Sequence, residues 1–182
     1  MHFEYKLGSV LDQKGVIAHA CNVHATMGSG IALALAKKWP RAEEVYKEKL
    51  EDIRIQVSPS RYARAALGTV SAVEVAEDVI VVNMVTQLLT NFFAHGSSPT
   101  SLDAIHSCLL ILKEIWLDAS TPTYQPTIHL PLICAVRGGV DWSITQALIK
   151  SVFADTSAQI HVWILPHEYA RFKQTHPHWN LP

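Results

Sequence analysis

Val16-Ile17-Ala18-His19-Ala20-Cys21-Asn22-Val23-His24-Ala25-Thr26-Met27-Gly28-Ser29-Gly30-Ile31-Ala32 passes from a run of strand character through a polar turn into a helical segment that ends at Trp39. The run Val16–Ala20 has the length and composition of a buried strand, and the small glycine-flanked residues after the polar turn give the chain conformational freedom just before the helix. In an open α/β sheet such a junction lies at the carboxyl end of a strand, where ligands bind, and the helix start offers unpaired N–H groups and a positive dipole end. A phosphate is its natural occupant. Taken alone, Gly28-Ser29-Gly30 serves equally well as a tight turn.

Outward from this junction, strands and helices alternate. Val79-Ile80-Val81-Val82, Ile128 to Ile133 and Ile160 to Leu165 read as further buried strands. Leu102, Ile105, Leu109, Leu112 and Trp116 recur at helical spacing, with Asp103, Lys113 and Glu114 off that stripe. Pro40 opens another helix through Ala42, Val45, Tyr46 and Leu50, as suits a proline in a first turn. Trp142, Ile144, Ala147, Leu148 and Val152 form a third pattern, and Glu168 to Gln174 a short helix before a tail. Parallel strands need long crossovers, so the alternation predicts an α/β fold with a mostly parallel sheet covered on both faces. Val57-Ser58-Pro59-Ser60-Arg61 and Thr90 to Pro99 read as loops.

The chain has 182 residues, 49% of them apolar and 17% charged, which predicts one globular domain over residues 1–182. Its net charge is -1 and its 15 Lys and Arg residues are scattered, so no polynucleotide groove is expected. Cys21, Cys108 and Cys134 suit neither a disulfide framework nor a zinc site. No basic and apolar leader opens the chain and no run approaches the roughly 18 apolar residues of a membrane span, so a soluble cytoplasmic protein is expected. The ten histidines include no HExxH pattern, and no metal or other cofactor is expected.

A second glycine loop, Ile133-Cys134-Ala135-Val136-Arg137-Gly138-Gly139-Val140-Asp141-Trp142, again joins a strand to a helix. Two such loops can clasp one diphosphate. The chain carries neither the P-loop pattern nor GxGxxG with an acidic residue about 20 positions on, which disfavours an ordinary nucleotide fold.

These passages resemble the macro domains, in particular the branch with the yeast-type ADP-ribose 1''-phosphate phosphatases and the terminal ADP-ribose protein glycohydrolases. The likeness runs from Leu7-Gly8-Ser9-Val10 to Val162-Trp163-Ile164-Leu165 and is strongest at His19 to Ala32, Trp39-Pro40 and Gly138 to Trp142. It implies a three-layer α/β/α sandwich around a mixed, mostly parallel sheet. It also implies that Ser9 and Val10 border an adenine pocket, that Asn22 lies by the distal ribose, and that Gly28, Ser29, Gly30 and Ile31 surround the diphosphate with Arg137, Gly138, Gly139 and Val140. Met27, Thr86, Gln87, Ala135 and Val136 complete the ligand-binding positions. The implied partner is ADP-ribose or a derivative, including ADP-ribosylated macromolecules.

The chain departs from the glycohydrolases at two places. Gln87 stands where their adduct-forming lysine would be, and an amide forms no Schiff base. Gly138 stands where they carry an assisting aspartate. Asn22, His24 and Asp141 remain the candidate catalytic residues. Asn22 can orient ribose hydroxyls or close the strand through a local turn bond; His24 can reach the distal ribose or its phosphate; Asp141 is placed to cap the following helix. His19 is as readily a satisfied core histidine as a base, and Arg137 suits phosphate oxygens or open solvent. Cys21 and Cys134 read as small buried hydrophobes or, with His19 or His24 as activating base, as nucleophilic thiols, while Phe92 and Phe93 either shield the ribose or anchor their loop. Three functions follow: hydrolysis of an ADP-ribose derivative such as ADP-ribose 1''-phosphate, non-catalytic reading of ADP-ribose, and ADP-ribosyl hydrolysis by activated water.

Overall fold

The computed structural model describes residues 1–88, 99–121, 123–179 and 181. The expected roles of Phe92 and Phe93 lie outside these residues. Among the described residues six strands form one sheet: β1 (His2–Leu7), β2 (Gly15–Asn22), β3 (Val70–Ala76), β4 (Val79–Gln87), β5 (Ile128–Leu130) and β6 (Gln159–Ile164). The order is β1-β6-β5-β2-β4-β3, and only the β3–β4 pair is antiparallel. The sheet is therefore mixed and mostly parallel, as the alternation predicts.

Helices α1 (Gly30–Lys38), α2 (Pro40–Gln56) and α3 (Pro59–Ala66) lie on one face, and α4 (Leu102–Ala119) and α5 (Trp142–Val152) on the other. Helix α6 (Pro166–Thr175) follows β6 and buries Phe172 in the second of these cores. The alternation of side chains along β2 sorts them into two layers. Val16 and Ala18 pack with Ile105, Leu109 and Leu112 of α4, whereas Ile17 packs with Leu35 of α1 and Cys21 with Tyr46 of α2. Burying both faces of a sheet in this way requires strands that are apolar nearly throughout, which β2 and β4 are. The chain is an α/β/α three-layer fold.

Local chemistry sets the boundaries. Pro40 occupies the first turn of α2, and the Ser101 hydroxyl accepts from the Ala104 amide at 3.2 Å to cap α4. Gly15 has φ of +119°, and a Cβ there would come within 2.4 Å of the Thr127 carbonyl, so only glycine lets β2 start beside the segment leading to β5.

Three local expectations need correction. The run Ile128–Ile133 is strand only to Leu130, because Pro131 lacks the N–H a ladder needs and the backbone turns there. The stretch Val57–Arg61 is loop only to Ser58; Pro59 sits in the first turn of α3. Two edge strands, β1 and β3, have no counterpart in the runs read as strands. Their alternation of polar and apolar residues is the mark of half-exposed strands, and in β1 Glu4 meets both His2 and Lys6.

One polar relay crosses the core. His19 is fully buried in β2, its Nε2–H donates to Asn83 Oδ1 on β4 at 2.7 Å, and the Asn83 amide donates to the Ala42 carbonyl at 3.0 Å and to Ser71 Oγ at 3.1 Å. This joins β2, β4, β3 and α2. Burial pushes the His19 pKa down to about 4, so the folded protein refuses a proton that the unfolded chain accepts in the ordinary histidine range. Folding stability is then complete above that range and falls as pH drops through it toward the folded value, by about 2 kcal/mol from His19 between about pH 7 and about pH 5. Urea denaturation at the two pH values should show this loss, and His19→Gln should reduce its slope; an equal slope in the variant would refute the assignment.

Candidate functional site

The parallel strands deliver their carboxyl ends to one edge of the sheet, where a cleft of about 840 Å³ opens. Its walls are the segment after β1, the loop from β2 into α1, the turns after β5, and the end of β6 with α6.

The first glycine loop offers backbone and space. Ser29 makes no side-chain cap at the start of α1, so the helix presents its first amides and the Ser29 hydroxyl without a capping partner. A Cβ built on Gly28 or on Gly30 meets nothing within 4 Å, so both glycines face open space. Gly30 has φ of +58°, a left-handed conformation that favours glycine on its own account.

The second loop is wound on itself. Cys134 adopts φ of +58°, Gly139 donates to the Ala135 carbonyl at 2.8 Å, and Val140 donates to the Cys134 carbonyl at 3.1 Å. A Cβ at Gly138 would lie 2.3 Å from that same Cys134 carbonyl. The position read as the counterpart of an assisting aspartate therefore holds no side chain unless the loop is rebuilt. Ala135, Val136, Arg137 and Gly138 line the cleft; Gly139 and Val140 do not, and Val140 is buried in the core behind it.

Asn22 lines the cleft and also closes its own loop. Its Nδ2 donates to the Thr26 carbonyl at 2.9 Å and to Thr26 Oγ1 at 3.1 Å, while Oδ1 accepts from the His24 amide at 2.8 Å. The Tyr46 hydroxyl donates to the Asn22 carbonyl from α2. Ser9, Val10, Gly28, Ser29, Gly30, Ile31 and Gln87 also line the cleft, but Met27 packs in the apolar cluster beneath the loop and Thr86 is buried with its hydroxyl 3.3 Å from Cys134 Sγ. His24 is exposed, outside the lining, with Nε2 2.9 Å from the Leu88 carbonyl. Asp141 is also outside it: its carboxylate caps α5 by accepting from the Ser143 amide at 2.8 Å and hydroxyl at 2.6 Å, and meets His178 at 2.7 Å. The Ser143 contacts hold its pKa below the usual carboxylate value.

The thiols are buried and protonated. Burial raises Cys21 well above its ordinary value and pushes Cys134 up to about 12, so neither supplies thiolate at neutral pH. Among the described residues no group of three or more His, Cys, Asp or Glu is gathered to hold a metal ion.

Trp163, Leu165, Glu168 and Arg171 line the cleft and were not among the expected site residues. The Trp163 Nε1–H donates to His129 Nδ1 at 3.0 Å, and His129 Nε2–H donates to the Lys14 carbonyl at 2.8 Å, which fixes the imidazole in its neutral tautomer. The signal that could have found this wall is β6 itself, another parallel strand whose carboxyl end reaches the same edge.

No family model matches the chain. It is 27% identical over 118 residues to an ADP-ribose 1''-phosphate phosphatase of Candida glabrata, a match spanning 63% of this chain and 61% of that protein. A macrodomain protein from Streptomyces coelicolor superposes with a TM-score of 0.69 at 26% identity, covering 90% of this chain and 99% of the other. The Thermosipho africanus DarTG structure in complex with ADP-ribose shares the fold at a TM-score of 0.61 and 15% identity, over 87% of this chain and 40% of that one. With the sheet order, the layers and these likenesses in agreement, the chain has the macro domain fold and is similar in sequence to macrodomain proteins.

Proposed function

We propose that the cleft binds ADP-ribose or a close derivative, with its diphosphate between the two glycine loops. The observation that carries this reading is the empty space above Gly28 and Gly30 beside the uncapped start of α1. Main-chain amides there neutralise negative charge without bringing a side chain into the ligand's volume, and Arg137 adds a guanidinium from the facing loop. The ADP-ribose bound to the similarly folded Thermosipho protein supports the choice of ligand.

Hydrolysis of ADP-ribose 1''-phosphate is the activity we assign to this site, and the likeness to the Candida glabrata phosphatase favours it. A lysyl adduct has no basis, since Gln87 cannot form one and Gly138 leaves no room for a carboxylate. The work falls instead on amides that stabilise charge as the phosphate leaves and on Asn22, which holds the loop's shape while facing the distal end of the ligand. A second reading, a non-catalytic reader of ADP-ribose on modified macromolecules, draws on the protonated thiols and on the placing of His24 and Asp141 outside the cleft lining.

Titration calorimetry with ADP-ribose, paired with phosphate release from ADP-ribose 1''-phosphate, separates these. Binding with phosphate release is the expected result; binding without turnover selects the reader, release of free ADP-ribose from modified protein selects an ADP-ribosyl hydrolase, and no binding removes the ligand assignment. In Gly28→Val, thermal stability should stay close to that of the parent because the added side chain meets no protein atom within 4 Å at its Cβ, while ADP-ribose affinity should fall about a hundredfold. Unchanged affinity would move the diphosphate elsewhere.

A further inference from the structure

The charged side chains among the described residues lining the cleft are Arg137, Glu168 and Arg171. Arg137 belongs to the diphosphate loops. The other two project from α6, three residues apart and so neighbours on one helix surface. Neither of their side chains has a hydrogen-bond or ion-pair partner among the described residues, and Glu168 takes no part in capping the helix. They share their end of the cleft with Ser9, Val10, Trp163 and Leu165, where the indole held by His129 and the apolar neighbours suit a flat ring.

We infer that Glu168 and Arg171 read the nucleotide base and select a 6-amino purine over a 6-oxo purine. This rests on the ADP-ribose reading above and names specificity residues within it. A carboxylate only accepts hydrogen bonds and a guanidinium only donates them. On one edge adenine offers an N6 amino donor beside the N7 acceptor, whereas a 6-oxo purine shows two acceptors on that edge. The pair therefore complements adenine group for group. A 6-oxo purine in the same position sets its oxygen against the carboxylate. The remaining polar side chain at this end, Ser9, both donates and accepts, and so cannot tell the two bases apart.

The test is calorimetric affinity for ADP-ribose and for inosine diphosphate ribose, measured on the parent protein and on Glu168→Gln. The parent should prefer ADP-ribose by about tenfold or more. Glutamine keeps the length and helix compatibility of glutamate but presents either a donor or an acceptor, so the preference should shrink toward unity while inosine diphosphate ribose binds no more weakly than before. A parent protein that binds both ligands equally, or a Glu168→Gln protein that keeps the full preference, overturns the assignment of Glu168. A parent protein that binds neither ligand overturns the ADP-ribose reading itself, and this inference with it.

Discussion

Parallel pairing constrains everything else in this molecule. Two strands that run the same way cannot be joined by a tight turn, so each return passes through a crossover on one face of the sheet. With β1, β6, β5, β2 and β4 aligned, the segments leaving these strands all emerge at one edge. The cleft is a product of that alignment: loops distant in sequence become its walls because their strands are neighbours. The buried relay from His19 through Asn83 to Ala42 and Ser71 locks the register of the strands and the seat of α2, on which the β2 loop in turn leans through Tyr46.

The site is built mainly of backbone. Where an enzyme of conventional design would place a base or a nucleophile, this cleft places glycine, open space and amides, and the side chains with recognisable chemistry are engaged elsewhere. Asp141 is a cap, His19 a core donor, and the two cleft thiols are kept protonated by their surroundings. Asn22 combines two duties, since the bonds that shape its loop also fix the orientation of its carboxamide beside the cleft. Such an arrangement is suited to holding an anion, because a preformed loop loses little energy to reorganisation when negative charge enters it.

The central strands and the amphipathic helices were legible because their patterns are strong: β2 and β4 are mostly apolar, interrupted by His19 and Asn83 and by polar residues at their carboxyl ends, and α4 carries its stripe at unbroken helical spacing. The two glycine loops were legible because glycine between a strand and a helix has few other uses. The edge strands were not, since His2–Leu7 mixes Glu4 and Lys6 with aromatics and carries too short an alternation to stand out. Pro59 resembled loop punctuation because proline marks both turns and helix starts. The wall made by Trp163, Glu168 and Arg171 stayed hidden because contact between the end of β6 and the segment after β1 depends on strand order, which no local pattern encodes. Gly138 shows the reverse case: its identity was visible, but the reason for it, the Cys134 carbonyl 2.3 Å from where a Cβ would be, needed coordinates.

The charged outer strands have a consequence for behaviour in concentrated solution. An unpaired edge is a template onto which a stray strand from another molecule can zip, and a sheet with an apolar interior has much to lose from such accretion. Here β1 presents Glu4 flanked by His2 and Lys6, and β3 presents Glu74 on its exposed side. An intruding strand would have to strip water from these polar and charged groups before gaining any backbone bond. The residues that made these strands hard to recognise are thus the same ones that guard the sheet against polymerisation.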